Sequence, residues 1–214
     1  MSEDSVLLID KPSNMTSFGV VARVRRRLSE QLGKKAKVGH TGTLDPFATG
    51  LMIIVTGKEC RNAGNYSKLD KVYEATIHLG QTSTTGDPEG ELTQVSERQP
   101  SLGEVRAVLE PFHGEITQRP PIYSAIKING ERAYKLARRG EVVEVPERTV
   151  TIYSLDLIEY DYPYLKIRTH VSSGTYIRTL AEDIGKRLET GAYCEQLRRT
   201  KIADWSVEDA ELIA

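Results

Sequence analysis

The sequence predicts an α+β fold, a mixed and largely antiparallel sheet flanked by helices. Three observations predict it. Apolar residues alternate with period two in stretches such as 72–79 and 165–171, apolar stripes of helical period stand near 17–32, 102–112 and 177–188, and the two kinds of segment follow no regular βαβ order. With 214 residues and 39% hydrophobic content the chain can bury a sizeable core, and it is read as one domain over 1–214.

Each element has a local reason. Val6-Leu7-Leu8-Ile9 is a short buried strand stopped by Asp10-Lys11-Pro12, because proline supplies no backbone donor and restricts the residue before it. Ser17 is placed to cap a helix with apolar positions Phe18, Val21, Val24, Leu28 and Leu32, which Gly33 ends. Residues 39–50 carry three glycines and a proline without any period, so they form a loop leading into the strand Leu51–Val55. Tyr73, Ala75, Ile77 and Leu79 alternate along the next strand, and the polar, turn-rich stretch Gly80–Gly90 reads as an exposed loop.

Ser101-Leu102-Gly103-Glu104 has the form of a capping box, followed by the helical stripe Val105, Val108, Phe112. Ile122–Ile128 reads as a strand ending at the turn Asn129-Gly130, then a short helix to Arg139 closed by Gly140. Val142–Val145, Thr149–Leu157 and Leu165–Val171 read as strands, and a final helix carries Ile177, Leu180, Ala181, Ile184 and Leu188 on one face before Gly191.

Composition excludes several classes. Charged residues make up 28% of the chain, and its 17 glycines and 9 prolines are too few for a disordered or collagen-like protein. Cys60 and Cys194 have no C-x-x-C partner, which argues against a zinc or disulfide framework and for a reducing cytoplasm; four histidines without carboxylates at ligand spacing argue against a metal site. The start Met1-Ser2-Glu3-Asp4 is acidic, unlike a signal peptide, and no apolar run is long enough to span a membrane. The net charge of −1 hides a local bias: Arg23, Arg25, Arg26, Arg27, Lys34, Lys35 and Lys37 cluster, as do Arg198, Arg199 and Lys201 before an acidic tail.

Taken singly, the residues that could carry chemistry stay ambiguous. Asp45 before Pro46 is ordinary turn chemistry, Tyr73 is an ordinary strand aromatic, and Arg178 an ordinary helix arginine. Five segments taken together are more specific. Leu8-Ile9-Asp10-Lys11-Pro12, the run His40-Thr41-Gly42-Thr43-Leu44-Asp45-Pro46-Phe47-Ala48-Thr49-Gly50, Lys71-Val72-Tyr73, Arg119-Pro120-Pro121-Ile122-Tyr123-Ser124-Ala125 and Gly174-Thr175-Tyr176-Ile177-Arg178 resemble, in order and spacing, the signatures of the TruB-type tRNA pseudouridine synthases. The resemblance covers about residues 6 to 201.

That resemblance implies the pseudouridine synthase fold with an active-site cleft across the sheet. It implies that Asp45 is the catalytic aspartate, Tyr73 the aromatic that stacks on the target uracil, and Arg178 the partner of Asp45. His40, Tyr176, Leu197 and Arg61 would bind the substrate nucleotide, Arg61 standing where the family usually has lysine. The reaction breaks the N1–C1′ bond of uridine, turns the uracil and rejoins it through C5, so no metal and no other cofactor is expected. Asp45 acts as nucleophile or as base, which the sequence leaves open. The target, expected to be uridine 55 in the T arm of tRNA, must be flipped out of its stack, and Arg23, Arg26, Lys34, Lys35, Arg198 and Arg199 are candidates for the phosphate contacts that offset this cost. The expected protein is a cytoplasmic monomer needing no obligatory protein partner, a catalytic domain without the C-terminal PUA domain common in bacterial members.

Two rival readings use the same fold: a synthase acting on rRNA with a guide RNA, and a non-catalytic tRNA-binding or folding module. A serine hydrolase lacks its motif, since no Gly-x-Ser-x-Gly elbow is present.

Overall fold

The computed structural model describes residues 3–124, 126–128, 130–133, 136, 139, 141 and 144–213, with the backbone alone at 127, 128 and 132. Contacts divide the chain into two units, Met1–Tyr73 with Arg198–Ala214, and Glu74–Leu197.

The first unit contains β1 (Val6–Lys11), α1 (Ser17–Leu32), β2 (Val38–His40), β3 (Thr49–Thr56), α2 (Ala63–Ser67), the start of β4 (Lys71–Leu79), the end of β12 (Ala192–Ile202), β13 (Trp205–Ser206) and β14 (Glu211–Leu212). The strands lie in the order β14-β1-β3-β12. β1 runs antiparallel to β3, from Val6↔Val55 to Lys11↔Gly50, and parallel to β14. The end of β12 runs parallel to β3, pairing Arg198 with Thr49 and Arg199 with Gly50. β3 is a continuous apolar run because both of its faces are covered. Leu51, Ile53 and Val55 join Ile202, Leu8, Tyr66 and Trp205 in one cluster, while Met52 and Ile54 are equally buried on the other face. Each such side chain contributes about 1.5–3 kcal/mol on burial.

The second unit holds the rest of β4 and β12 with β5 (Gln81–Ser83), β6 (Leu92–Gln94), α3 (Leu102–Leu109), β7 (Gly114–Gln118), β8 (Lys127–Ile128), β9 (Glu131–Arg132), β10 (Arg148–Asp161), β11 (Tyr164–Val171) and α4 (Ile177–Arg187). Its strand order is β12-β4-β11-β10-β7, with antiparallel β10–β11 and β10–β7 pairs, and β5–β6 and β8–β9 form separate hairpins. The mixed, largely antiparallel α+β architecture is the one the sequence predicts.

Several expectations shift. α1 is capped by Thr16, whose side chain accepts from the Gly19 amide, and not by Ser17, which is buried. Phe18 is exposed with the Arg25 guanidinium over its ring; Val20, Val21, Val24 and Leu28 make the buried stripe. The loop 80–90 is not simply exposed, since Asp87 is 4% exposed. Among the described residues of the strand expected at Ile122–Ile128, Lys127–Ile128 is strand and 122–124 and 126 are not. Asn129, Gly140 and Val142–Val143 lie outside the described residues, so the turn, helix closure and strand expected there are not described; Glu144 and Val145 carry no strand. The capping box at Ser101 is present in both halves. No helix among the described residues is long and apolar enough to cross a membrane.

Candidate active site

The loop between β2 and β3 carries Asp45, which is partly exposed. Side chains of the first unit hold the backbone of this loop before and after that residue. Lys11, 0% exposed at the end of β1, donates from Nζ to the carbonyls of Pro12 (2.8 Å), Met15 (2.7 Å) and Pro46 (3.1 Å). The Ser17 hydroxyl donates to the Leu44 carbonyl and accepts from the Leu44 amide, each at 2.8 Å. Ser13 Oγ donates to the Phe47 carbonyl at 3.1 Å, and the Ala48 amide closes a turn onto the Asp45 carbonyl.

Arg199 completes the frame. It is 1% exposed and donates to the carbonyls of Leu51 (2.7 Å), Gly42 (3.2 Å) and Thr43 (3.5 Å). Gly50 must be glycine for β12 to come this close: its φ is +107°, and a Cβ there would lie 2.3 Å from the Arg199 carbonyl oxygen. Two buried cations are thus satisfied by backbone carbonyls, and each such charge-assisted bond is worth about 1.5–3 kcal/mol. A carboxylate set in such a frame is held at a fixed place, as chemistry at a single atom requires.

Lys71 and Tyr73 occupy alternate buried positions of β4, 6% and 8% exposed. The Lys71 ammonium donates to the carbonyls of Ser67 (2.8 Å) and Leu69. Burial lowers its amine to about 8, helped by the charge of Arg199 and opposed by Asp70. His40 ends β2, part-buried and opposite Ile54. Arg61, at the end of a 3-10 turn, is exposed, as are Arg23, Arg26, Lys34 and Lys35; Lys34 pairs with Glu3 at 2.8 Å.

In the second unit Arg178 is 3% exposed near the start of α4. It donates to the carbonyls of Thr85 (2.8 Å) and Tyr123 (2.9 Å) and forms an ion pair with Asp87 at 3.1 Å. Asp87 in turn accepts from the Thr85 hydroxyl (2.6 Å) and the Glu89 amide (3.0 Å), so the turn after β5 is organised around the arginine. Tyr176 takes the N-cap position of α4, its backbone bracketed by the Gln118 side chain, which accepts from the Tyr176 amide (3.0 Å) and donates to its carbonyl (3.2 Å). Leu197 on β12 is 8% exposed. A polar cleft of about 510 Å³ opens beside Thr85, Tyr123, Thr179 and Glu182, and burial pushes the Glu182 carboxyl above its ordinary range.

The structure therefore places Asp45 and Tyr73 in the first unit and Arg178, Tyr176 and Leu197 in the second. It corrects one expectation: Arg199 is buried and serves the Asp45 loop, so it is not part of a surface phosphate footprint. Arg198 is engaged as well, donating to both carboxylate oxygens of Asp10 (3.1 and 2.7 Å). Sequence reasoning gives Lys11, Asp87 and Gln118 no role at the site, and Ser17 only that of a helix cap. The signal for Lys11 was its place beside Pro12 at the end of an apolar strand; the other three had none, since their partners are distant in the chain.

Residues 26–177 match the family model described as TruB family pseudouridylate synthase (N terminal domain). The chain belongs to the TruB family. Its relatives within that family include tRNA pseudouridine synthase B of Phocaeicola vulgatus, 46% identical over 97% of this chain and 89% of that protein, and of Parabacteroides distasonis, 45% identical over 95% and 87%. The protein of the same description from Aquifex aeolicus is 44% identical over 97% of this chain and 71% of its own length. Among solved structures, a Cbf5-Nop10-Gar1 complex superposes with a TM-score of 0.73 at 30% identity, covering 99% of this chain and 52% of that one. An H/ACA RNP bound to a substrate RNA containing 2′-deoxyuridine gives 0.70 at 26% identity, covering 98% and 51%. This TruB-family chain thus spans about half the length of both structural neighbours.

Proposed function

We propose that this chain isomerises uridine to pseudouridine in tRNA, at position 55 of the T arm, without a guide RNA or an obligatory protein partner. The observation that carries the reading is the Asp45 loop: Lys11, Ser13, Ser17 and Arg199 hold the backbone on both sides of one carboxylate. A protein that only bound RNA would gain nothing from immobilising an acidic residue. The tRNA substrate is supported by the descriptions of relatives covered over most of their length.

In this mechanism the Asp45 carboxylate acts at the ribose as the N1–C1′ bond breaks, the freed uracil turns and C5 bonds to C1′ in place of N1, C5 losing its hydrogen as a proton while N1 takes one up. Tyr73 stacks on the uracil. Arg178 supplies the positive charge that keeps the carboxylate ionised, a guanidinium partner being worth about 1–3 pKa units to a carboxylate. Tyr176, Leu197 and His40 hold the flipped nucleotide, with Arg61 at its margin, and the exposed Arg23, Arg26, Lys34 and Lys35 meet phosphates.

The test is a T-arm stem-loop labelled with tritium at C5 of its uridines, with the modified position mapped afterwards. Release confined to position 55 by the protein alone is the expected result. Release only on adding a guide RNA, or tight binding with no release, would replace this reading by one of its two rivals.

A further inference from the structure

Arg148 opens β10 and has no role in the mechanism above. Its guanidinium carbon stands 4.7 Å from the centroid of the Tyr176 ring. The same group lies 3.3–3.4 Å from where a Cβ of Gly174 would be, and Gly174, at φ +86°, leaves that space open. Arg148 is partly exposed, yet its Nε and Nη2 are buried and make no hydrogen bond among the described residues. The neighbouring carboxylate is turned to another partner, Glu147 pairing with Arg119 at 3.0 Å.

Nε–H and Nη2–H form the side edge of the guanidinium, the fork that takes two oxygens of a carboxylate or phosphate at once. Buried charged donors are rarely left unused, because the desolvation they have lost is not returned. The nearby start of α4 adds to the demand for an anion. Tyr176 gives it no side-chain cap, and its own first turn has no acidic residue.

We propose that Arg148 is the receptor for one backbone phosphate beside the displaced nucleotide, the arrival of the RNA uncovering its buried fork so that it takes two phosphodiester oxygens while its face stays on the Tyr176 ring. This rests on the proposed function, which brings an RNA chain to Tyr176. Phosphate is favoured over a protein carboxylate because the substrate carries one at every nucleotide, and a flipped nucleotide carries its two flanking phosphates with it. Arg148 is a binding and positioning residue, not a catalytic one.

The experiment uses three T-arm stem-loops: all-phosphate, and two with a single uncharged methylphosphonate, 5′ or 3′ of the target uridine. Dissociation constants and single-turnover tritium release are measured for wild type, R148Q and R148K. R148Q should weaken binding of the all-phosphate RNA about ten- to hundredfold and lower the slope of log affinity against log salt by about one. One methylphosphonate should weaken the wild type by a similar factor and R148Q no further. R148K, with charge but no fork, should fall between. The comparison is made within each variant, so partial loss of folded protein scales all three RNAs alike. The proposal is overturned if R148Q binds as well as wild type, or if its loss multiplies with that of both methylphosphonates, which would leave Arg148 as a brace for the tyrosine. Should the wild type release no tritium while the interplay between Arg148 and one methylphosphonate persists, the proposed function fails and the phosphate receptor stands.

Discussion

Arg178 and Asp87 form an ion pair of 3.1 Å with side chains only 4% and 5% exposed. Ninety-one residues apart in the chain, they tie the first helical turn of α4 to the turn after β5. Replacing the buried Asp87 carboxylate by an amide removes this ion pair from a guanidinium that stays buried. Asp87→Asn should therefore destabilise the protein by roughly 3–5 kcal/mol and lower its melting temperature on the order of 10 °C. A thermal melt checks this, and an unchanged midpoint would mean the carbonyls of Thr85 and Tyr123 suffice to hold Arg178.

Arg199 and the exposed lysines should separate in kinetics. Arg199→Lys keeps the charge but loses the planar set of donors to Gly42, Thr43 and Leu51. A small displacement of Asp45 should cut kcat about tenfold or more while KM and the salt dependence of binding stay close to wild type. Lys35→Gln should do the reverse, raising KM and reducing the salt slope by about one. Steady-state kinetics at three ionic strengths measure both.

Two glycines of positive φ should differ in their tolerance of alanine. Gly33 ends α1 at φ +65° with nothing within 4 Å of an added Cβ, so Gly33→Ala costs only the left-handed backbone penalty, about 1–2 kcal/mol. At Gly50, φ +107°, the added carbon would lie 2.3 Å from the Arg199 carbonyl oxygen. Gly50→Ala should cost at least about twice as much in urea denaturation and reduce activity as well, because β3 and β12 must separate next to the Asp45 loop.

Lys71 makes a prediction about pH. Its amine titrates near 8 in the folded protein, below the ordinary 10.5. Between those values the unfolded chain binds the proton and the folded chain has released it, so this residue makes stability rise with pH from about 8 to about 10.5. Lys71→Met lacks this contribution. The stability of wild type relative to Lys71→Met should thus increase across that window, and a flat difference in urea melts at pH 7 to 10 would contradict the assignment.

Much of the fold was legible because local pattern and final burial agree. The alternation at Tyr73, Ala75, Ile77 and Leu79, the stripe Ile177, Leu180, Ala181, Ile184 and Leu188, and the Ser101–Glu104 capping box all stand as read. The failures share a cause. Lys11, Arg199 and Asp87 are charged residues buried against backbone carbonyls or a distant partner, whereas sequence reasoning puts charge on the surface. Ser17 reads as a cap because capping is local chemistry; its partner in the structure, Leu44, is 27 residues away. Of the candidate site, the motif picked out Asp45, but the groups that hold its loop come from β1, α1 and β12, and no spacing along the chain announces that convergence.

The most direct measurement compares wild type and Asp45→Asn for single-turnover release of tritium from C5-labelled uridine 55 of a T-arm stem-loop, alongside the dissociation constant for the same RNA. The Asp45→Asn protein should bind with nearly wild-type affinity and release tritium about 10³-fold more slowly or not at all. Release at a rate close to wild type, or a loss of turnover matched by an equal loss of binding, would contradict the central claim that the frame of Lys11, Ser17 and Arg199 exists to present a reactive carboxylate.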